Sequence, residues 1–342
     1  MARRLLLLAL ALLAVVVLAF AWFLLQRRQA PRAAALLPPA QGAAYIDLGL
    51  LRKAGVFDRA RPVQRDPEFA EFVRQTGFDF ERDLDVAALA LHSPATLGRG
   101  DNYPRFSWVF VGRFDPVRAA AYFGRLARTT ELYRDKTVFL IPQEDRTVRV
   151  VLLDDHTAAV SNTETADTLR YIVDRWLAGA AGAPAQPLVA QYYEQVPVGS
   201  IAWFIGRVAS PPGVQPASSG LTAPSWLRDV AGGSDVVASL RFVTDVQFRA
   251  VALAPGDAVA QRISQSANSW LSVFRALQTG TPSALTDKDV KAAFDSLRVT
   301  RQQNQVTLSA DIPVGALKKL VAEPPVPTQT PAGQKEKGKG QK

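Results

Sequence analysis

The amino-acid sequence predicts an α+β protein whose antiparallel sheets carry helices packed on one face, preceded by one transmembrane helix. Three observations indicate this fold class. A long apolar run lies near the N-terminus, short apolar segments with strand-like alternation follow, and segments with helical periodicity separate them. Hydrophobic residues make up 48% of the 342 residues, which is enough to bury a large core.

Residues 5–25 contain ten Leu, five Ala, three Val, two Phe and one Trp, without any polar residue. A helix of this length spans about 31 Å, which matches a hydrocarbon core of ~30 Å. A cleaved signal peptide is the alternative, because Ala19-Phe20-Ala21 fits a cleavage site. Since the apolar run continues past that site, residues 1–25 are interpreted as an uncleaved anchor with a short basic tail.

The flanks of this anchor carry similar positive charge, so the positive-inside rule decides little. A four-residue tail usually stays inside, which predicts a single-pass protein of the cell inner membrane. Its N-terminus would be cytoplasmic and the bulk of the chain extracytoplasmic. Most of the net charge of +9 lies within 1–32 and 324–342, which leaves about +1 for the rest. A nearly neutral folded region argues against nucleic-acid binding.

Composition divides the remaining chain into five parts. Prolines mark a tether, small residues mark a linker, and a stretch rich in Pro, Lys and Gly cannot bury enough apolar surface to fold. The parts are a tether at 26–41, a first α+β lobe at 42–178, a linker at 179–196, a second α+β lobe at 197–322 and a disordered basic tail at 323–342.

In the first lobe, alternation predicts strands and helical spacing predicts three helices. Asp115 and Pro116 are a typical N-cap and first helical residue. Ser161 and Glu164 resemble a capping box for the third helix. The predicted strands are 44–48, 85–91, 106–114, 138–141, 148–153 and 157–161, and the predicted helices are 67–75, 116–128 and a segment after Ser161 that reaches Leu177.

The second lobe shows a comparable series after its linker. Strands are predicted at 200–208, 235–243, 247–253, 299–302 and 306–310, helices at 257–277, 286–297 and 315–321, and a long loop at 210–224. Ala44-Tyr45-Ile46 parallels Ala202-Trp203-Phe204, and Asp85–Ala88 parallels Asp235–Ala238. A degenerate internal duplication is one interpretation, and chance similarity is the other.

Two short motifs give the first half a resemblance to known sequences. Tyr45-Ile46-Asp47 is followed by Leu50-Leu51-Arg52, and Gly77-Phe78-Asp79 leads to Asp83-Leu84-Asp85. With the anchor and tether, this arrangement resembles uncharacterised bacterial envelope proteins with one membrane segment. The resemblance covers about residues 1–180 and implies no particular activity.

The residues that carry chemistry are few. Cysteine is absent, which excludes disulfides and thiolate metal sites. Of the two histidines, His92 follows a strand and His156 lies in a turn. Either could join a Ser-His-Asp triad, but no Gly-x-Ser-x-Gly motif accompanies them and no zinc spacing exists. Nucleotide-binding motifs are absent as well.

Acidic residues offer two further candidates. Asp154 and Asp155, with Asp145 and Glu144, could bind a divalent cation, although Asp is ordinary in turns. Alternating acids would share one face if their segment were extended, which suggests either paired carboxylates or a solvated start of a strand. These acids are Asp79, Glu81, Asp83 and Asp85.

No catalytic, cofactor-binding or metal-ligating residue is assigned, and neither a cofactor nor enzymatic activity is predicted. The function predicted is a membrane-anchored extracytoplasmic binding or scaffolding domain of the bacterial envelope. Its partner would be a protein or another envelope component, with the membrane contacted through residues 5–25. A carboxylate-dependent envelope hydrolase and a carrier of an apolar ligand are the alternatives. An exposed apolar patch on a sheet would favour the binding domain.

Overall fold

The computed structural model describes residues 29–55, 67–92, 105–143, 146–179, 186–208, 232–280 and 288–316. Within these ranges twelve strands form one antiparallel sheet, which confirms the α+β class. The strands are β1 (Gly42–Asp47), β2 (Leu84–His92), β3 (Arg105–Gly112), β4 (Thr129–Tyr133), β5 (Lys136–Gln143), β6 (Arg146–Leu152), β7 (Thr157–Ser161), β8 (Ser200–Arg207), β9 (Asp235–Phe242), β10 (Val246–Leu253), β11 (Arg298–Gln302) and β12 (Gln305–Ile312).

Helices connect several of these strands and lie on the sheet. They are α1 (Arg32–Ala35), α2 (Leu48–Lys53), α3 (Pro67–Thr76), α4 (Phe80–Asp83), α5 (Pro116–Leu126), α6 (Asp167–Leu177), α7 (Pro187–Tyr192), α8 (Asp257–Gly280) and α9 (Lys288–Asp295). A 3-10 turn at Tyr193–Gln195 follows α7.

The strand order is β11-β12-β10-β9-β8-β1-β2-β3-β7-β6-β5-β4. The predicted lobes therefore share a single sheet, joined where β1 pairs with β8. The halves share part of their order, because in each three consecutive strands form a meander, at least one helix follows, and the last strand returns beside the third. The first half has two more strands at its edge of the sheet than the second. A duplication would produce this repeated order, although common ancestry itself stays a prediction.

Tyr45 and Trp203, which occupy matching positions in the predicted repeat, lie directly opposite each other in the β1–β8 pair. Their rings stack at a centroid distance of 5.7 Å. The second sequence match, of Asp85–Ala88 with Asp235–Ala238, is shifted by one residue relative to the strand pairing. Tyr45 pairs with Ala88, whereas Trp203 pairs with Ser239 and not with Ala238. A one-residue slip moves a side chain to the opposite face of a sheet.

One face of the sheet, the core face, carries the main hydrophobic core. Helices α1, α6 and α7 cover it, and Ile172 and Val189 on these helices are fully buried. The core-face strand residues are almost completely buried across the central strands. They include Ala43, Tyr45, Ala88, Ala90, Val109, Trp203, Ile205 and Val237.

Helices also lie on the opposite face, whereas the sequence predicted helices on one face only. Ala87, whose side chain alternates with that of Ala88, packs with Phe72 of α3 and Leu48 of α2. Farther along this face, Ile263 of α8 packs against Val306 of β12. The physical reason is that β2 is apolar on both faces, so both must be covered.

The tether and linker predictions differ from the structure where residues are described. Leu36 and Leu37, predicted to lie in the tether at 26–41, are buried in the core. Residues 187–195 of the predicted linker form α7 and the 3-10 turn, with Val189 fully buried. The apolar runs in these stretches are too short and too close to prolines to show a periodicity, so their burial is hard to predict from the sequence.

The two predicted helix starts had opposite outcomes. Asp115 caps α5 as predicted, because its Oδ1 accepts hydrogen bonds from the N–H groups of Val117 and Arg118. The capping box at Ser161 is wrong, since α6 begins at Asp167 without a side-chain cap. Strand β4 was missed because its sequence is polar and its residues are mostly exposed at the sheet edge.

No helix in the described part of the chain is both long enough and apolar enough to cross a bilayer. The predicted anchor at 5–25, the loop at 210–224 and the basic tail at 323–342 lie outside the described residues. The anchor and the tail therefore remain predictions.

Candidate functional site

The face opposite the core face carries a continuous group of apolar residues on four neighbouring strands. Three successive rows of four residues on β1, β8, β9 and β10 point to this side, and none of these twelve residues carries a hydrogen-bonding side chain. We call these positions the open face. They are Gly42, Ala44, Ile46, Ala202, Phe204, Gly206, Val236, Ala238, Leu240, Phe248, Ala250 and Ala252.

The two faces of the same strands differ in burial. Trp203 and Ile205 on the core face are almost completely buried, whereas Phe204 between them is only half-buried. The same alternation places half-buried Leu240 beside buried Ser239. An amphipathic antiparallel sheet would place polar residues on its second face. Here the second face is apolar and incompletely covered.

Helices flank the open face on two sides. On one side, α2 and α3 pack over β2 and β3 through Leu48 and Phe72. On the other side, α8 packs over β11 and β12. The apolar stripe of α8 continues beyond Ile263 to Trp270, which is 41% exposed. The arrangement is a trough with a sheet floor and helical walls.

Phe204 lies flat on the floor because two glycines leave space for its ring. A Cβ atom added at Gly206 would come within 2.5 Å of Phe204 Cζ, and one added at Gly42 would come within 3.3 Å of Phe204 Cε2. Gly42 and Gly206 are directly opposite in the β1–β8 pair. The aromatic ring thus covers backbone that would otherwise face the trough.

Beside the trough, β3 presents a row of aromatic residues. Phe106, Trp108 and Phe110 follow one another on its outer side, and Trp108 stacks on Phe110 at 5.4 Å. Phe110 contacts Phe80 at 6.5 Å, and Phe80 is 37% exposed on α4. Aromatic side chains of this kind are enriched in binding surfaces because they bury much area at a low entropic cost.

The structure places His92 beside a serine but does not form a catalytic triad. His92 Nε2 lies 3.0 Å from Ser107 Oγ, and Ser107 Oγ donates to Ser161 Oγ at 3.1 Å. Ser107 and Ser161 are completely buried, so neither hydroxyl can meet a substrate. This network also explains why Ser161 does not cap α6.

We expect His92 to make the stability of the fold decrease in mild acid. Burial lowers the pKa of His92, and a hydrogen bond to the Pro39 backbone offsets only part of this effect. The unfolded chain therefore binds a proton at higher pH than the fold does. Stability should fall as pH decreases from about 6.5 through the folded-state pKa. Urea unfolding between pH 7.5 and pH 5 measures this decrease.

The variants His92→Gln and His156→Gln separate the two histidines in this experiment. H92Q should lose most of the decrease in mild acid. His156 is exposed, and its hydrogen bond to Asp155 raises its pKa, so H156Q should not reduce that decrease. A decrease of the same size in H92Q and in the unmodified protein would contradict the assignment.

Asp154, Asp155 and His156 come together in the exposed turn between β6 and β7. Asp154 Oδ1 accepts from the His156 N–H at 2.8 Å, and Asp155 Oδ1 contacts His156 Nδ1 at 2.6 Å. Both contacts lie within the turn itself and stabilise its conformation. Asp145 and Glu144, the other acids considered for a cation, lie outside the described residues.

The alternating acids from Asp79 to Asp85 do not lie along one extended face. Residues Phe80–Asp83 form the short helix α4, which Asp79 caps through the Glu81 N–H. Asp83 is buried and accepts hydrogen bonds from Arg82 and from the Asp79 N–H, while Asp85 forms an ion pair with Arg52. The arginines give these carboxylates structural partners, and no pair of free carboxylates faces a cleft here.

Comparisons with known proteins add little to this description. No known protein family matches the chain, and no curated protein does. Three solved structures of TP0453 match over most of both chains. Crystal form III has 8% identity, covers 86% of this chain and 98% of that chain, and gives a TM-score of 0.45. Forms IV and I have 8% and 7% identity, cover 85% and 86% of this chain and 96% and 97% of those chains, and give TM-scores of 0.40 and 0.37. At these values the similarity carries no functional information.

Proposed function

We propose that this protein is a membrane-anchored extracytoplasmic binding domain of the bacterial envelope, and that the open face is its binding surface. The observation that carries the proposal is that the ten non-glycine residues of the open face are all apolar and half-buried. Gly42 and Gly206 are buried under the Phe204 ring. Apolar patches of several hundred Å² on soluble surfaces usually mark interaction sites. Residues 5–25 would hold this surface at the membrane.

The alternatives have weaker support. A carboxylate-dependent hydrolase needs two carboxyl groups facing a cleft. In the Asp79–Asp85 segment, the carboxylate of Asp83 is instead paired with Arg82 and Arg113. A carrier would use the same open face, but it would bind an apolar ligand there, whereas a scaffold would bind a protein or another envelope component.

A single introduced thiol tests the orientation, because the chain has no cysteine of its own. Ser309 lies on the core-face side of β12, where it is half-buried and away from the open face. A membrane-impermeant maleimide should label Ser309→Cys in intact spheroplasts to the level reached after lysis. This result is expected because the folded region would be outside the inner membrane.

The matched control for this labelling is Ala2→Cys, in the predicted cytoplasmic tail. A2C should react only after lysis. If S309C reacts only after lysis while A2C reacts in intact spheroplasts, the orientation is the reverse of the proposed one. Recovery of the protein in the soluble fraction after gentle lysis would contradict the anchor itself.

A further inference from the structure

The sheet ends in two edge strands whose outer sides pair with no described residue. β4 lies at one end of the sheet and β11 at the other. An edge strand presents free N–H and C=O groups, which proteins usually protect with bulges, charged residues or a covering segment. Neither β4 nor β11 shows a register shift against its neighbour, so both edges are regular.

The repeated strand order shows what a strand beside β11 would resemble. The β6–β7 hairpin returns beside β3, and the β11–β12 hairpin returns beside β10 in the same way. β6 and β11 are thus equivalent strands. β6 pairs with β5 on its outer side, whereas β11 has no neighbour there among the described residues. The position that β5 fills in the first half is therefore open in the second.

The turns that close the two edge hairpins determine which backbone groups point outward. Both central residues of the β4–β5 turn have positive φ, which is typical of a type I′ turn closed by a hydrogen-bonded pair. Backbone groups alternate in direction along a strand. The N–H and C=O groups of Thr130 and Leu132 therefore point away from β5. By the same rule, those of Val299 and Arg301 point away from β12, to which a two-residue turn joins β11.

One antiparallel register joins the β4 edge of one copy to the β11 edge of another. It places Leu132 opposite Val299 and Thr130 opposite Arg301, so each pair can exchange two hydrogen bonds. All five residues of each strand are paired in this register. Leu132 and Val299 both lie on the side of the open face, so the two faces of the sheet continue across the junction. Leu132 is 74% exposed in a single copy and would be covered.

This pairing needs no reorientation of the second copy. All neighbouring strands of the sheet are antiparallel, so the first and last of the twelve strands, β11 and β4, run in opposite directions. A copy placed beyond β11 in the same orientation therefore presents its β4 antiparallel to β11. Each copy keeps one further edge free, so the contact is heterologous and produces an open chain of copies.

The helices near the two edges leave room for the junction. On the open-face side, α8 packs over β11 and β12, and α5 packs over β5 and β6. Across the junction these helices would be about three strands apart, or ~14 Å. This separation exceeds the 8–10 Å of two helices in contact.

Charge favours pairing of unlike edges over like ones. Pairing β4 with a second β4 through the same backbone groups would place Glu131 directly opposite its own copy, which is unfavourable. Pairing with β11 places Glu131 opposite Thr300 and diagonal to Arg298. Glu131 also lies 3.6 Å from Arg170 of its own copy, an exposed ion pair of small energy that leaves the carboxylate accessible.

From the two free edges, the open position beside β11 and the matching register, we infer that copies of this protein join head to tail. β4 of one copy pairs with β11 of the next, and the partner is a second copy of this chain. The interface is separate from the open face and goes beyond the proposed binding function. A chain of copies would repeat the open face at regular intervals.

Introduced cysteines can trap this contact, because the chain has none of its own. Thr129 and Gln302 are exposed and face each other in the inferred register as a non-hydrogen-bonded pair. Their Cα atoms would be about 4.5 Å apart, which suits a disulfide. Mild oxidation of the purified full chain carrying Thr129→Cys and Gln302→Cys, in detergent, should give dimers, trimers and larger species on a non-reducing gel.

Single variants separate head-to-tail pairing from other contacts. T129C or Q302C alone should stay monomeric after oxidation. A mixture of the two should give dimers but nothing larger, because each copy then has only one thiol. T129C combined with Ser309→Cys, which lies one strand in from the edge, should give no ladder.

A charge exchange tests the register itself. Glu131→Lys in the T129C/Q302C protein places a positive charge beside Arg298 and should reduce the cross-linked fraction about five-fold. Adding Arg298→Glu should restore most of it, which a loss of folding would not do. Leu132→Pro removes an outward N–H group and should also abolish the ladder. Circular dichroism checks that each variant is folded.

Three results would overturn the inference. The first is a folded T129C/Q302C protein that stays monomeric after oxidation. The second is efficient cross-linking of either single variant, because like edges would then meet. The third is a double variant that stops at dimers, because two copies would then close on each other instead of forming an open chain. None of these results depends on the anchor or on the open face.

Discussion

Replacing Trp203 with alanine should lower the free energy of unfolding by about 3–5 kcal/mol, the usual cost of removing a large aromatic side chain from a core. Trp203 is 3% exposed and lies at the centre of the sheet, where it stacks on Tyr45 and contacts Tyr193 edge-on at 5.5 Å. The variant would leave a cavity at the junction between the two halves. Urea unfolding followed by circular dichroism measures the change.

Two further variants make this prediction specific. Trp270→Ala removes the same side chain from a position that is 41% exposed, and should cost less than about 1 kcal/mol. Trp203→Phe keeps an aromatic ring against Tyr45 and removes Nε1, a buried donor without a hydrogen-bond partner in the described residues. W203F should therefore cost much less than W203A. Equal losses for W203A and W270A would show that the junction is not tightly packed.

Replacing Asp83 with alanine should cost about 2–4 kcal/mol, the second-largest effect expected. Asp83 Oδ2 accepts hydrogen bonds from the Asp79 N–H at 3.0 Å and from Arg82, and Arg113 approaches Oδ1 at 3.2 Å. The variant would leave the buried Asp79 N–H without its acceptor, which alone costs about 1–3 kcal/mol. Both arginines are largely exposed, so water would solvate them and limit the total.

The pH dependence of D83A provides an independent check. Burial by itself would raise the pKa of Asp83, but the hydrogen bonds from Arg82 and the Asp79 N–H, with the charge of Arg113, lower it overall. Its contribution to stability is therefore complete above about pH 3.9 and is lost as pH falls through the folded-state pKa. D83A should lose that acid-dependent part. Asp85→Ala, whose carboxylate is half-exposed, should change stability by at most about 1 kcal/mol, and an equal loss in both variants would argue against the buried network.

Local elements were predictable where the sequence signal is itself local. The Asp115–Pro116 pair fixed the start of α5 because a cap acts within three residues. The hairpin from β6 to β7 followed from its acidic turn, and β9 and β10 followed from two neighbouring apolar segments with a short turn between them. The predicted capping box at Ser161 was wrong because the Ser161 hydroxyl accepts a hydrogen bond from Ser107. Ser107 lies on another strand, so no local sequence pattern indicates this contact.

The single sheet and the open face depend on contacts that local patterns do not contain. Pairing of β1 with β8 joins residues that are far apart in sequence. The open face did leave one signal, because β8 and β9 are apolar at consecutive positions, which is typical of strands covered on both faces. The sequence predicted that helices cover these strands on one face only, so the second apolar surface was not expected.

The central position of β1 has a consequence for synthesis of the protein. Tyr45 leaves the ribosome 158 residues before its partner Trp203, so at about 5–20 residues per second β1 waits roughly 8–30 seconds for β8. During that time one side of a short apolar strand has unpaired backbone groups, which favour pairing with other chains. Early folding of the first half, before residue 200 is made, would therefore be the aggregation-sensitive period.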